Sequence, residues 1–483
     1  MSDRSTRVRP AGDGRTPGRP TLRTAVVLGG SHAGMLAARA LAPFAHTVTI
    51  VERDVLPEGP EPRRNLPQAR HVHLLWSGGA RAVEELVPGT TGQLLAAGAH
   101  RLPVTTDMVA LSPRGWYRRW PESHHVLLSS RDLLDATIRA QVLDDDRITL
   151  LERTEVLGLE GGADAVTGVR ILGGPDGTDG TERVLPADLV VDATGRASRA
   201  AQWLTALGLP EPARREVDSG LAYASRMYRA PDAARVPFPV VNVQHETRTG
   251  HPGRGAVLMP VEGGRWLVTL SGTRGGEPPA RDGDFVRFAR ELRHPVVGDL
   301  LADAEPLGDV SFTRTTVNRR FHYERMSAWP ENFTVLGDAL AAYNPVYGHG
   351  LSVAAQSALA LREVIRRHGW GTPGLARRAQ RAMARPVNAA WDLATGQDVF
   401  YPGAAQGGPT LRERLVAAYV DRLVYTATGN GRIARRLTDV TSLERGAEVL
   451  MRPGVLLAAL IGPLKPPLAG PPLTAEEWKA AGR

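Results

Sequence analysis

The chain contains no cysteine. That excludes disulfides, thiolate metal sites, a cysteine nucleophile and a cysteinyl link to a cofactor, and it accords with a reducing, cytoplasmic setting. Lysine is nearly missing as well. Only Lys465 and Lys479 are present, so arginines interspersed with acids carry the formal net charge of +8. No basic run is interleaved with aromatics as a groove for single-stranded nucleic acid requires, so no nucleic-acid partner is expected. Long apolar runs are missing too. The first twenty residues have no apolar segment of the kind a secretory signal carries. The longest C-terminal apolar run, VLLAALIG from Val455, falls far short of the roughly 20 residues that span a bilayer. It reads as a short buried helix in preference to a membrane-surface contact, and no transmembrane segment is expected.

What is present is globular in composition: 483 residues, 42% hydrophobic and 23% charged. That length implies two or three packed units. Residues 1–22, rich in Arg, Gly and Pro, read as a flexible tail. TAVVLGG is an apolar strand ending in glycines, SHAGMLAARALAPF has helical spacing, and HTVTIVERD is a second buried strand whose apolar run stops at Glu52. SSRDLLDATIRAQVLD has a serine N-cap before an amphipathic helix. ITLLERTEVLGLE, AVTGVRIL and ERVLPADLVVDATG read as strands around a Gly/Asp turn at 173–180. GLAYASRMYRA, VVNVQHE and GAVLMPVEGGRWLVTLSGT continue as strands, with a hairpin turn at Glu262-Gly263-Gly264. A strand, a Gly/Pro loop and a long helix follow over 333–369, and the rest is helical with a Pro-rich end. There are no internal repeats.

Three strand-to-helix junctions carry the chemistry. In the first, Gly29 and Gly34 fit the outer positions of a Gly-x-Gly-x-x-Gly fingerprint, while Ser31 stands at the middle one. The helix start behind it offers free N–H groups and a positive dipole end to a pyrophosphate, and the serine hydroxyl is a further donor. Glu52, 18 residues after Gly34, is placed to accept from ribose hydroxyls. Without further support, this junction also reads as a glycine-rich turn with no ligand. The second junction is DLVVDATGRASR, with Asp192, Gly195, Arg196, Ser198 and Arg199. The third is VLGDALAAYNPVYGHGLSVAAQSA, where Gly337-Asp338 ends a strand and a loop with Pro345, Gly348 and Gly350 leads into a helix at Leu351 and Ser352. Each alone is an ordinary loop; the three in this order indicate a bound dinucleotide.

These motifs resemble those of the class A flavoprotein monooxygenases of the p-hydroxybenzoate hydroxylase type. The resemblance matches Gly29/Gly34/Glu52 to the fingerprint for the ADP half of FAD, Asp192/Gly195/Ser198/Arg199 to a D-x-x-G-x-x-S-x-x-R segment, Gly337/Asp338 to the ribitol segment and Arg131 to an adenosine-side arginine. A more extended likeness covers nearly the whole chain. LPQARHVHLLWSGGARAVEELVPGTT, GGRWLVTLSGTRGGEPP and NPVYGHGLS are similar to the polyene epoxidases of polyether ionophore biosynthesis, the lasalocid and monensin type. Two departures stand out: Ser31 for glycine, and Arg64-Asn65 where related epoxidases carry Lys-Gly. The halogenase signature of two tryptophans before Ile-Pro is missing.

The resemblance implies an α/β fold with an α+β insert: a Rossmann-like FAD domain, an interleaved antiparallel-sheet substrate domain and a helical C-terminal region. The expected boundaries are 1–22 for the tail, 23–107, 126–213 and 311–365 for the FAD domain, 108–125 and 214–310 for the substrate domain, and 366–483 for the helical region. The implied cofactor is non-covalent FAD, used with O₂ and with NAD(P)H directly or through a flavin reductase. Its expected contacts are Gly29, Gly30, Ser31, Ala33, Gly34, Glu52, Arg53, Arg64, Gln68, Arg131, Asp192, Gly195, Gly337, Asp338, Pro345, Gly348, Gly350 and Leu351.

In that chemistry a flavin C4a-hydroperoxide delivers oxygen to an alkene of a linear polyene polyketide, and an epoxide hydrolase/cyclase acts downstream. Epoxidation needs no substrate deprotonation, so an apolar pocket is expected, lined by Val257, Met259, Trp266, Val268 and Leu270. Tyr343, Asn344, Pro345 and Val346 are the candidates to face the flavin ring. His71 and His73 lack a third ligand, so no metal is expected and they read as hydrogen-bonding residues near the flavin. His349 reads as a proton relay or as a backbone element of the loop. Arg63, Arg64 and Arg70 read as a solvated cluster or as a grip on phosphate or carboxylate. Two other functions remain open: an aromatic-ring hydroxylase of the same class, and a flavin- or lipid-binding protein without turnover.

Overall fold

The computed structural model describes residues 22–173, 180–234 and 238–483. The expected tail up to residue 21 and the turn residues 174–179 lie outside the described residues.

The first layer is a five-stranded parallel sheet in the order Phe333–Val335, Leu189–Asp192, Thr24–Leu28, Thr47–Val51, Ile148–Leu151. Its three innermost strands are near-continuous runs of Val, Leu and Ile because a parallel sheet is covered on both faces. The helices His32–Leu41, Arg131–Leu143 and Gly350–His368 belong to the same core, as does an antiparallel sheet of Thr154–Gly161, Val166–Gly173 and Glu182–Pro186. Ser130 caps its helix as expected, accepting from the Leu133 N–H.

The second layer is a seven-stranded sheet in the order Glu305–Thr313, Ala222–Arg229, Arg265–Gly272, Arg254–Val261, Val240–Val243, Met108–Ser112, Gly115–Trp116. The hairpin at Glu262-Gly263-Gly264 forms, pairing Met259 with Leu267 and Leu258 with Val268. Side chains alternate across this sheet. Met259, Val261 and Leu267 look towards Trp76, Leu102, Val126 and Leu128. Trp266, Val268 and Leu270 look the other way, into a core with Phe238, Phe285, Val296 and Leu300. That corrects the expected pocket: Trp266, Val268 and Leu270 are core on the far face from Met259. The inner face instead carries Tyr223, Ser225, Met227, Val257, Met259, Leu267 and Thr269.

The C-terminal helices are Leu375–Asp398, Leu411–Gly429, Gly431–Thr441, Pro453–Ile461 and Ala475–Ala480. A second correction falls here. The VLLAALIG segment forms the helix Pro453–Ile461, but it buries only Val455 and Ala459 and leaves its leucines outside. Among the described residues no helix is long and apolar enough to cross a membrane.

Candidate active site

At the first junction the chain leaves the strand Thr24–Leu28 and turns at Gly29, whose φ is +96°. A Cβ there would lie 2.8 Å from the Ala193 carbonyl oxygen. At Gly34 a Cβ would lie only 1.8 Å from the Gly29 oxygen, so this glycine lets the helix seat on the turn. Ser31 has φ −95°, a conformation any residue adopts, so the fingerprint's middle position does not need glycine here. Its hydroxyl accepts from Arg131 Nη2 at 3.2 Å instead of capping the helix, whose first turn is left without a side-chain cap. Arg131 is fixed in turn by Asp135 at 2.7 Å.

Glu52 lies under this turn, buried. Oε2 accepts from the Gly30 N–H at 2.7 Å and faces Arg63 at 3.2 Å, while Oε1 accepts from the Asp54 N–H at 3.0 Å. A carboxylate has about four acceptor positions, so one remains for a ribose hydroxyl. Arg63 is therefore the arginine brought to the corner. Its neighbour Arg64 is exposed, as are Gln68 and Arg53, the last reaching Asp54 at 3.9 Å. Nothing in the sequence separates Arg63 from Arg64; only the fold of 54–70 does. A narrow cleft lined by Gly30, Ser31, His32, Met35, Arg63, Asp135, Ile138 and Arg139 opens over the helix start.

Asp192 ends its strand fully buried, with Thr194 donating to Oδ1 at 2.6 Å and Ser198 to Oδ2 at 2.5 Å. Burial pushes its carboxyl upward, against those bonds. Asp192 thus braces its own loop and has no surface left for a ligand, which corrects its expected role. Gly195, at φ +72°, and Arg196 follow it. Arg196 reaches the Val317 carbonyl at 2.9 Å and Asp338 at 3.8 Å. The Asp338 side chain is half-open. A Cβ on Gly337, at φ +67°, would lie 2.8 Å from the Ala33 Cβ, so this junction sits directly on the first one. Partial desolvation raises the Asp338 carboxyl, and Arg196, Arg131 and Arg319 oppose the rise.

The loop from Tyr343 to Gly350 is held from below by a residue the sequence reading missed. Asp398, the last residue of the helix Leu375–Asp398, is buried. Its Oδ2 accepts from Asn344 Nδ2 at 2.7 Å and Asn318 Nδ2 at 2.8 Å, and its Oδ1 accepts from the Tyr347 hydroxyl at 3.1 Å. Asn318 Oδ1 returns a bond to the Asn344 N–H at 2.6 Å. Asn344 Oδ1 receives the Val346 N–H at 3.0 Å. Of the four candidates to face a ring, Tyr343 and Asn344 are therefore spent as braces, the former reaching the Val387 carbonyl at 3.4 Å. Pro345 and Val346 remain at the open surface, Val346 39% exposed. Gly348, at φ +65°, lies where a Cβ would be 3.2 Å from Leu74. Gly350 and Leu351 then start the helix Gly350–His368, and the Leu351 carbonyl accepts from His32 Nε2 at 3.2 Å.

The PQARHVH segment crosses the inner face of the large sheet. His71 Nδ1 pairs with Ser225 at 2.7 Å, Ser225 with Thr269 at 2.6 Å, and the Val72 N–H reaches Thr269 at 3.1 Å. His73 bonds the His71 carbonyl at 2.8 Å. Burial lowers His71 to about 4 and His73 to about 3, the second helped by Arg131, so both rings are neutral. His349 Nε2 reaches the Thr441 carbonyl at 2.9 Å, and burial lowers it to about 4. Val72 in this segment, Leu74 directly after it, and Met108, Met227 and Val257 on the sheet are partly open apolar side chains. Among the described residues no three His, Asp or Glu side chains gather as a metal site.

The architecture is that of the FAD-dependent monooxygenases. The flavin-dependent brominase Bmp2 superposes with a TM-score of 0.63 at 15% identity, covering 87% of this chain and 94% of its own. The p-nitrophenol 4-monooxygenase PnpA of Pseudomonas putida gives 0.61 at 18% identity, covering 88% and 99%. By sequence the chain belongs to the family of Protein Rv3254 of Mycobacterium tuberculosis: the two are 32% identical over 395 residues, 80% of this chain and 82% of that one. A kynurenine 3-monooxygenase of Salinispora arenicola is 28% identical over 374 residues, 71% and 72% of the two chains. No protein-family model matches the chain.

Proposed function

We propose that the chain is an FAD-dependent monooxygenase that epoxidises carbon–carbon double bonds of a linear polyene polyketide. The observation that carries the epoxidase reading is the inner face of the large sheet. Its partly open apolar side chains are Met108, Met227 and Val257, the crossing segment adds Val72 and Leu74, and the histidines beside them are neutral and already hydrogen-bonded. Hydroxylating a phenol calls for a base that takes the phenolic proton, whereas an alkene needs only positioning and the exclusion of water. Tyr223 is no substitute base: burial and the charge of Asp398 hold its hydroxyl protonated.

The residues fit FAD. The backbone at Gly29, Gly30, Ser31, Ala33 and Gly34 and the uncapped helix start suit its diphosphate. Glu52 suits a ribose, Arg131 and Arg63 the adenosine side, and Asp338 the ribityl chain. Pro345, Gly348, Gly350 and Leu351 suit the ring. When bound and reduced, FAD with O₂ supplies an electrophilic oxygen. The chain's own share is to hold the ring against the 343–350 loop and to keep the apolar side dry. Electrons come from NAD(P)H directly or from a flavin reductase, and the epoxide passes to an epoxide hydrolase/cyclase.

The purified protein, supplied with FAD, is expected to show a two-banded visible flavin spectrum. With a flavin reductase and a disubstituted alkene it is expected to add one oxygen to the alkene. An absent flavin spectrum sinks the reading altogether. A hydroxylated arene beside an untouched alkene favours the second reading, an aromatic-ring hydroxylase, to which the likeness to kynurenine 3-monooxygenase lends support.

A further inference from the structure

The helix Pro453–Ile461 is attached to the protein by its backbone and carries its large side chains outward. Arg422 donates to the Ala459 and Leu460 carbonyls, and the Leu464 N–H reaches the Gly429 carbonyl at 3.2 Å. The Tyr419 hydroxyl holds the preceding turn through the Leu450 carbonyl at 2.6 Å. Val455 and Ala459 fill the small contact with the helices beneath. Met451, Leu457, Leu460, Ile461 and Leu464 are 59%, 59%, 79%, 64% and 70% exposed. A run of large apolar side chains this open, on a firmly held scaffold, marks a surface that is covered in use.

We infer that this face docks the protein on an anionic membrane surface. Charge selects the occupant. Between the exposed Glu448 and Glu476 the charged residues of the chain are Arg452 and Lys465, one on each side of the helix. Both are exposed, and Lys465 is steadied over the Trp120 ring at 5.2 Å. Leucines rimmed by cations fit acyl chains below anionic headgroups. A second copy of the chain fits badly. A two-fold interface sets the same patch against itself, and between residues 449 and 475 that patch offers Arg452 and Lys465 no acid to pair with. Nine residues of helix are too short to cross the bilayer, so the segment lies in the interface plane.

The test is co-sedimentation of the full chain with vesicles of phosphatidylcholine holding about one-third phosphatidylglycerol, against phosphatidylcholine alone. The wild type is expected to bind the mixed vesicles, more weakly at about 0.5 M salt. A variant carrying Leu460→Glu and Leu464→Glu is expected to lose at least about tenfold in partitioning. Both positions face outward, so its melting temperature is expected to match the wild type. Arg452→Glu is expected to weaken binding to the mixed vesicles alone. Failure of the wild type to bind the anionic vesicles overturns the inference, as does undiminished binding by the double variant. So does a dimer in solution that the double variant converts to monomer, since that face would then belong to a second copy.

Discussion

The turn at Gly29–Gly34 and the loop at Tyr343–Gly350 meet at the start of the helix His32–Leu41, where Gly337 abuts Ala33 and Leu351 accepts from His32. They are held by opposite means. The first is shaped by what is missing: two positions where a single carbon would collide with backbone 2.8 and 1.8 Å away. The second is shaped by what is buried beneath it, a carboxylate from a helix 54 residues further along the chain that holds Asn344, Asn318 and Tyr347 together. A corner made by close approach tolerates no added atom. A loop made by a polar knot tolerates atoms but not the loss of its acceptor. Substitutions at the two places should therefore fail in different ways.

The sharpest break is Gly34→Ala. The new methyl must move the Gly29 carbonyl, a backbone group that cannot rotate away, so a loss of about 3 kcal/mol or more is expected. It is read as a fall in the urea midpoint, accompanied by loss of FAD binding. A normal midpoint would show that the turn relaxes freely and that close approach is not what builds this corner. Asp398→Ala comes next. It strips the acceptor from Asn318, Asn344, Tyr347 and the more distant Ser219, and about 3 kcal/mol is expected, since leaving a buried donor unpaired costs roughly 1–3 each and partial relaxation offsets the sum. Asp398→Asn keeps the shape and one acceptor, and about half that loss is expected. If FAD binding is lost in both Asp398 variants while the urea midpoint is unchanged, Asp398 acts on the cofactor and not on the loop.

The same contrast explains what could be read from the residues. The corner was legible because its signals are local: glycines at fixed spacing, an apolar strand on each side, an acid at the second strand's end. The two sheets and the helical end were legible from their periodicities. Asp398 was not, because an aspartate at a helix end usually faces water, and only the fold brings Asn318 and Asn344 to it. Trp266, Val268 and Leu270 read as pocket residues beside Met259 because a strand pattern shows alternation without showing which face is inward. Their hairpin register puts the two sets on opposite faces. Asp192 matched its motif, yet it is fully buried, and its bonds from Thr194 and Ser198 brace its own loop. Sequence position alone does not tell a brace from a ligand contact.

Acidity probes both regions at once. His32 in the corner and His349 in the loop are each buried, each bonded through Nε2 to a carbonyl, and each lowered by burial to about 4 from a usual 6.5. Between those values the unfolded chain takes up protons that the folded chain refuses. Their contribution is therefore complete above pH 6.5 and is lost as the pH falls towards 4. The slope is about 1.4 kcal/mol per pH unit for each ring, or about 2 kcal/mol each between pH 6.5 and pH 5. Urea midpoints at pH 7 and pH 5 measure it. His349→Asn should flatten the difference by one histidine's share, and a wild-type midpoint that does not move means the rings are not held neutral.

The smallest effect is expected at Ser31, and it separates the two ways of reading the corner. If the middle fingerprint position matters as open space for the backbone, Ser31→Gly should tighten FAD binding. The observed φ of −95° and the 3.2 Å bond to Arg131 argue otherwise: the space is already sufficient and the hydroxyl steadies the arginine. Ser31→Gly and Ser31→Ala are then expected to behave alike, each weakening FAD by about 0.5–1 kcal/mol, the net contribution of one exchangeable hydrogen bond. Ser31→Val adds branched bulk as well as removing the hydroxyl, and about tenfold weaker binding is expected, which is about 1.4 kcal/mol. Fluorescence titration of the three apoproteins with FAD orders them. A clearly tighter glycine variant would mean that the serine at this position narrows the diphosphate site and that its bond to Arg131 contributes nothing.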